Sequence, residues 1–202
     1  MQEKITLSQQ KHLDILSSAK KEFIEHGFLP ANMERIASCS KVSKRTLYRH
    51  FESKEVLFES VLININSSVN NDVRYQFDER KSTALQLNEI AYEEMKIITG
   101  TYGIPLARTI VMELLRQPEM AKKFIKNDYS NRAITLWINE ATEAGRLKRG
   151  DTELMTEVYV SLLKGLLFWP QLMNLDKEFT SDEISSKVDT VTSVFIQSYG
   201  LN

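Results

Sequence analysis

The sequence predicts an all-α protein of about nine helices: an N-terminal three-helix head holding a helix-turn-helix, and a larger helical domain behind it. Glycine and proline are scarce, seven and four in 202 residues, and fall between helix-length stretches. Apolar residues recur at three- and four-residue intervals, and no segment alternates as a strand does. With 42% hydrophobic residues, the chain is long enough to bury a substantial core.

Helices are expected near 7–26, 32–39, 43–50, 54–76, 82–99, 104–116, 118–144, 152–172 and 181–199. Gly27 and Pro30 end the first. Asn32 caps the second, where Met33, Ile36 and Ala37 share one face; Ser40 and Lys41 then break the pattern. Ser43 caps the third, in which Leu47 and Phe51 lie one turn apart and point inward with Val42. Its opposite face carries Arg45 and Arg49, flanked by Thr46 and Tyr48. Gly100, Gly103 and Pro105 punctuate the middle of the chain, and Pro118, Gly145, Gly150 and Pro170 its later part. Thr180-Ser181-Asp182-Glu183 reads as a capping box that starts the last helix.

Residues 36–54 therefore form a short helix, a tight turn and a strongly basic second helix. From Lys41 to Lys54 there are five basic residues and one acid, Glu52, although the whole chain has a net charge of −1. Insertion into a DNA major groove explains that unit best, with duplex phosphate as the complement of its cationic face. Charge is divided to match: residues 1–60 hold ten Lys/Arg against eight Asp/Glu, and residues 61–202 sixteen against nineteen.

No chemistry is assignable elsewhere. His12, His26 and His50 have no second ligand at metal-binding spacing, and Glu93-Glu94 and Asp182-Glu183 are helical neighbours that diverge by about 100°. A phosphate-binding glycine loop, a nucleophile motif and a CxxC are all missing, so no enzyme, cofactor or metal is expected. The single cysteine, Cys39, suits a reducing compartment, and neither a signal-peptide stretch nor a membrane span is read, so a cytoplasmic location is expected. The competing reading is a helical protein-interaction or membrane-surface module without sequence-specific DNA binding.

Two apolar stripes mark the last two helices. Val158, Leu162, Gly165 and Trp169 follow a four-three-four spacing, as do Ile184, Val188, Val191 and Phe195. Each stripe serves either its own core or a four-helix seam between two copies, where Gly165 would permit close approach.

The run Val42-Ser43-x-x-Thr46-Leu47-Tyr48-x-His50-Phe51-x-Ser53-Lys54-Glu55-x-Leu57-Phe58 resembles the DNA-binding head of TetR/AcrR-type regulators. Upstream, Ile15-Leu16-x-x-Ala19-x-x-x-Phe23-x-x-x-Gly27-Phe28 resembles that family's first helix. Segments such as Pro105-Leu106-Ala107-Arg108, Arg116-Gln117-Pro118-Glu119-Met120-Ala121 and Leu162 to Trp169 resemble the C-terminal domain of AefR-like members. One departure is Lys41, where the family commonly has Gly; a left-handed residue there would cost Lys about 1 kcal/mol relative to Gly.

The resemblance implies a DNA-binding head at 1–52, a ligand-binding and dimerisation domain at 53–202, and a ligand-responsive repressor that binds a palindromic operator as a homodimer. It places Lys44, Arg45 and Tyr48 near base edges and Thr46, His50 and Lys54 near phosphates, with Arg49 replacing a common aromatic. It implies dimerisation through the last two helices, hence through both stripes, and transmission by the helix beginning near Lys54. A TetR-like fold would also gather Tyr92, Met95, Met112, Trp137 and Phe168 around a central cavity for a largely apolar small molecule, with Glu94, Glu113 or Asp128 supplying a polar contact.

Overall fold

A computed structural model describes residues 6–72, 75–97, 99, 103–126, 132–174 and 178–201. In chain order the helices are α1 (Leu7–His26), α2 (Met33–Cys39), α3 (Lys44–His50), α4 (Lys54–Asp72), α5 (Thr83–Lys96), α6 (Gly103–Arg116), α7 (Pro118–Lys126), α8 (Arg132–Glu143), α9 (Thr152–Leu163), a π-helical stretch Lys164–Phe168, α10 (Trp169–Met173) and α11 (Ser181–Tyr199). The described residues contain no strand, and their β pairing is one antiparallel bridge between Leu147 and Gly200.

The expected caps form. Asn32, Ser43 and Thr180 each accept a backbone N–H of the first helical turn, Thr180 within a full capping box. Two expected helices are divided. The 118–144 stretch yields α7 and α8, and residues 127–131 between them lie outside the described residues. The 152–172 stretch widens into the π turn just before Pro170, which has no N–H to donate and opens the following α10.

The chain divides into two compact units, Met1–Ser68 with Pro105–Asp128, and Val69–Ile104 with Tyr129–Asn202. This division does not follow the expected boundary between 52 and 53. The start of α4 belongs to the first unit because Leu57 and Phe58 are fully buried there, Phe58 meeting the rings of Phe23 and Phe28 at 5.0 Å. Pieces of α6 belong there too: the Thr109 hydroxyl donates to the Phe23 carbonyl at the end of α1.

In the second unit, α11 packs on α5 and α9, and α8 packs on α9. Trp137, Tyr159, Phe195, Leu87 and Leu167 are fully buried between them. The core's polar atoms are satisfied: the Tyr159 hydroxyl donates to the Leu87 carbonyl at 2.5 Å and the Trp137 Nε1–H to Gln86 at 3.3 Å. The chain end is pinned by Lys148 N–H to the Tyr199 carbonyl and Leu201 N–H to the Arg146 carbonyl.

Candidate nucleic-acid interface

The turn that aims α3 is built on Lys41. The Val42 N–H bonds the Ala37 carbonyl at 3.0 Å and the Lys41 N–H bonds the Ser38 carbonyl at 3.1 Å, the paired closure of a Schellman motif. That motif needs a left-handed residue, and Lys41 takes it at φ 53°, the one positive φ of a non-glycine among the described residues. The sequence departure at this position is therefore a real left-handed lysine.

Beyond the turn, Leu47 and Phe51 anchor α3 in the core, while Val42 is half-buried. Lys44, Arg45, Tyr48 and Arg49 are exposed along the outer face, and Tyr48 keeps 42% of its surface accessible. Thr46 is half-buried, its hydroxyl 2.8 Å from that of the Ser43 cap. A rigid helix thus presents two guanidiniums and a phenol together, the groups that read base edges and stack on sugars.

Two acids, Glu22 and Glu34, constrain this head in ways the sequence reading missed. Glu22, buried on α1, accepts the Asn32 N–H at 2.8 Å and the Arg35 guanidinium at 2.9 and 2.5 Å, clamping the start of α2 to α1. Burial pulls the Glu22 carboxyl upward, but Arg35, the Asn32 N–H and His26 outweigh it and hold it below the ordinary glutamate value. Its signal in the sequence is an acid on the stripe Ile15, Ala19, Glu22, Phe23. Glu34 on α2 bonds Lys44 at 2.5 Å and raises its ammonium pKa, so Lys44 is held toward α2.

Lys54 and His50 differ most from their expected phosphate roles. The Lys54 ammonium donates to the Leu29 carbonyl at 2.8 Å and the Ala31 carbonyl at 3.2 Å, and lies 4.8 Å from the centroid of the Phe28 ring. It tethers the loop between α1 and α2. The His50 ring lies 5.8 Å from that of His12, which stacks on Phe51 at 4.8 Å; the His50 Nε2 is buried without a hydrogen-bond partner. Burial, then His12, Arg49 and Lys11, hold the His50 imidazole below the ordinary histidine value.

The seam residues separate into two groups. On α11, Val188, Val191 and Phe195 are fully buried, and Phe195 meets the Tyr159 ring at 5.3 Å, so this stripe is a core face and its assignment to a seam is corrected; Ile184 is half-buried against the same core. The other stripe is open. Val158 and Leu162 are half-buried, Gly165 is exposed with nothing within 4 Å of an added Cβ, and Trp169 is 41% exposed. Leu154 and Met173 extend it at either end, both exposed.

Of the five expected pocket residues, Met112 belongs to the first unit and is exposed; in the second unit Tyr92 is exposed, Met95 is core, Phe168 packs beside Trp169, and Trp137 borders a described cavity. Among the polar candidates, Glu113 is buried and held by Arg116 and Gln117, Glu94 accepts the Tyr75 hydroxyl at 2.8 Å, and Asp128 lies outside the described residues. No helix among the described residues is long and apolar enough to cross a membrane.

Residues 15–61 match the family model for bacterial regulatory proteins of the tetR family, and residues 85–201 the model for the C-terminal domain of AefR-like transcriptional repressors. The chain belongs to the TetR family. It is 24% identical over 169 residues to the HTH-type transcriptional regulator UidR of Escherichia coli (strain K12), covering 80% of this chain and 82% of that one. It is 32% identical to a TetR family transcriptional regulator from Pseudomonas syringae pv. tomato str. DC3000, with a TM-score of 0.77 over 97% of this chain and all of the other. A TetR-family structure from Mesorhizobium loti, 22% identical, shares the fold with a TM-score of 0.84 over 97% of this chain and all of its own. This TetR-family chain is accordingly a DNA-binding transcriptional regulator, and the tetR-family match at residues 15–61 takes in α2, α3 and much of α1.

Proposed function

We propose that this regulator is a ligand-responsive repressor that binds a palindromic duplex operator as a homodimer, with Arg45, Tyr48 and Arg49 facing the bases. The observation that carries the reading is the outer face of α3, exposed and cationic while Leu47 and Phe51 fix the helix from behind. Phosphate contact belongs to the flanks of that face, Thr46 and Lys44 among them. Lys54 serves DNA indirectly, by holding the loop that precedes α2.

The second copy is proposed to pair along the open stripe Leu154, Val158, Leu162, Gly165 and Trp169. A row of exposed and half-buried apolar residues running from α9 into α10 favours a partner of the same kind, and Gly165 lets two backbones approach. An effector that prefers a conformation with the two heads wrongly spaced would weaken operator binding by the same coupling free energy. Selection from random duplex DNA tests the reading. It should return two half-sites about 34–36 Å apart, or a multiple of that, related by two-fold symmetry; recovery of no enriched sequence would overturn it.

A further inference from the structure

The second unit contains a cleft of about 630 Å³ where the chain between α4 and α5 folds over α5. Its size lies in the range of small-molecule sites, about 300–1,000 Å³. Half-buried Phe77 supplies the open apolar wall, backed by Ile90 and Trp137, which are almost wholly buried; its ring meets that of Trp137 edge-on at 5.8 Å. Gln86, buried beneath them, spends its amide internally: it accepts the Asp78 N–H at 2.8 Å and the Trp137 N–H, and donates to the Asp78 and Lys81 carbonyls. That amide is already engaged by the protein.

The rim is charged and unbalanced. Arg80 is bonded to Asp78 at 2.9 Å, and Lys81 reaches across to Glu89 on α5 at 2.8 Å. Glu79 and Glu93 add two further carboxylates, so four acids face two bases around the opening; Glu93 also meets Lys96 at 3.6 Å, from outside the cleft. Carboxylates above aromatic rings attract a cation and repel an anion.

We infer that this cleft binds a small organic cation with a flat apolar body, the ring against Phe77 and the charge toward Glu79 and Glu93. The inference rests on reading the second unit as the ligand-binding part of the regulator, and it adds a positive charge to the largely apolar effector expected from the sequence.

Calorimetry on the full chain with three naphthalene probes of one shape tests it: naphthylmethylammonium, naphthylmethanol and naphthoate. The ammonium should bind about tenfold tighter than the alcohol and the carboxylate most weakly, with the preference shrinking as salt rises. The double variant Glu79→Gln with Glu93→Gln should bind the ammonium no better than the alcohol and leave the alcohol's affinity unchanged. Equal binding of all three probes, or a cation preference that survives in the double variant, would overturn the site. Operator shifts run on the same preparations without probe separate the two readings: a chain that shifts DNA yet lacks the preference overturns the cleft alone.

Discussion

His50, at the end of the helix that carries Arg45 and Tyr48, faces His12 of α1 with ring centroids 5.8 Å apart, and its Nε2 is buried without a partner. Two imidazoles in that position cannot both charge without repulsion, and Arg49 and Lys11 add to it. The DNA-binding head should therefore weaken in acid.

The direction follows from the lowered value. Between the native pKa of His50 and the ordinary 6.5, the unfolded chain holds a proton that the folded chain does not. This contribution is fully present above the ordinary value and is lost as pH falls through the lowered native one. Melting temperatures from pH 8 to pH 5 should drop more steeply for wild type than for His50→Gln. Parallel curves would show that the pair carries no such linkage.

Glu22 should be the most sensitive polar position in the head. Glu22→Gln keeps the shape but removes the charge that receives the Arg35 guanidinium and the Asn32 N–H, at about 2 kcal/mol of stability for bonds to a charged group. Denaturant unfolding measures it. A loss no larger than that of an exposed control such as Glu25→Gln would place the clamp's strength elsewhere.

Lys41→Gly should stabilise the protein. Its φ of 53° suits glycine, so the change should gain about 1 kcal/mol, or roughly 2–4 °C in Tm for a chain of this size. Thermal melts decide it, and a lower Tm would mean that the lysine side chain supports the turn.

Lys41 also shows how far the sequence could be read. The turn was legible because Ser40 and Lys41 interrupt a periodic pattern between two caps, but the left-handed conformation was implied only by the resemblance, through the Gly the family commonly has there. The all-α fold and the inward Leu47 and Phe51 were legible for the same local reason. Val188, Val191 and Phe195 were not, since an identical spacing serves a core face and a dimer seam, and only the placement of Tyr159 and α5 distinguishes them. The cleft above Trp137 was hidden because it is made by a loop, residues 75–82, whose closure over α5 leaves no periodic trace. The tether made by Lys54 was hidden too, because a lysine's ammonium can serve a carbonyl as well as a phosphate, and the loop carbonyls of Leu29 and Ala31 are distant in sequence.

The two stripes predict different failures. Trp169→Glu charges an exposed residue and should give a folded monomer with poor operator affinity, whereas Phe195→Glu buries a charge in the core and should unfold the second unit. Light scattering with far-ultraviolet circular dichroism separates these. A Trp169→Glu protein that remains dimeric would exclude the open stripe as the seam.

The outer face of α3 is proposed to read base edges, and Arg45→Ala tests this role most directly. Titrated against the selected operator and a scrambled duplex of equal length and salt, the variant should lose about 1–3 kcal/mol on the operator, as removal of a bidentate base contact does, and little on the scrambled duplex. Equal losses on both sequences, or none on either, would contradict it.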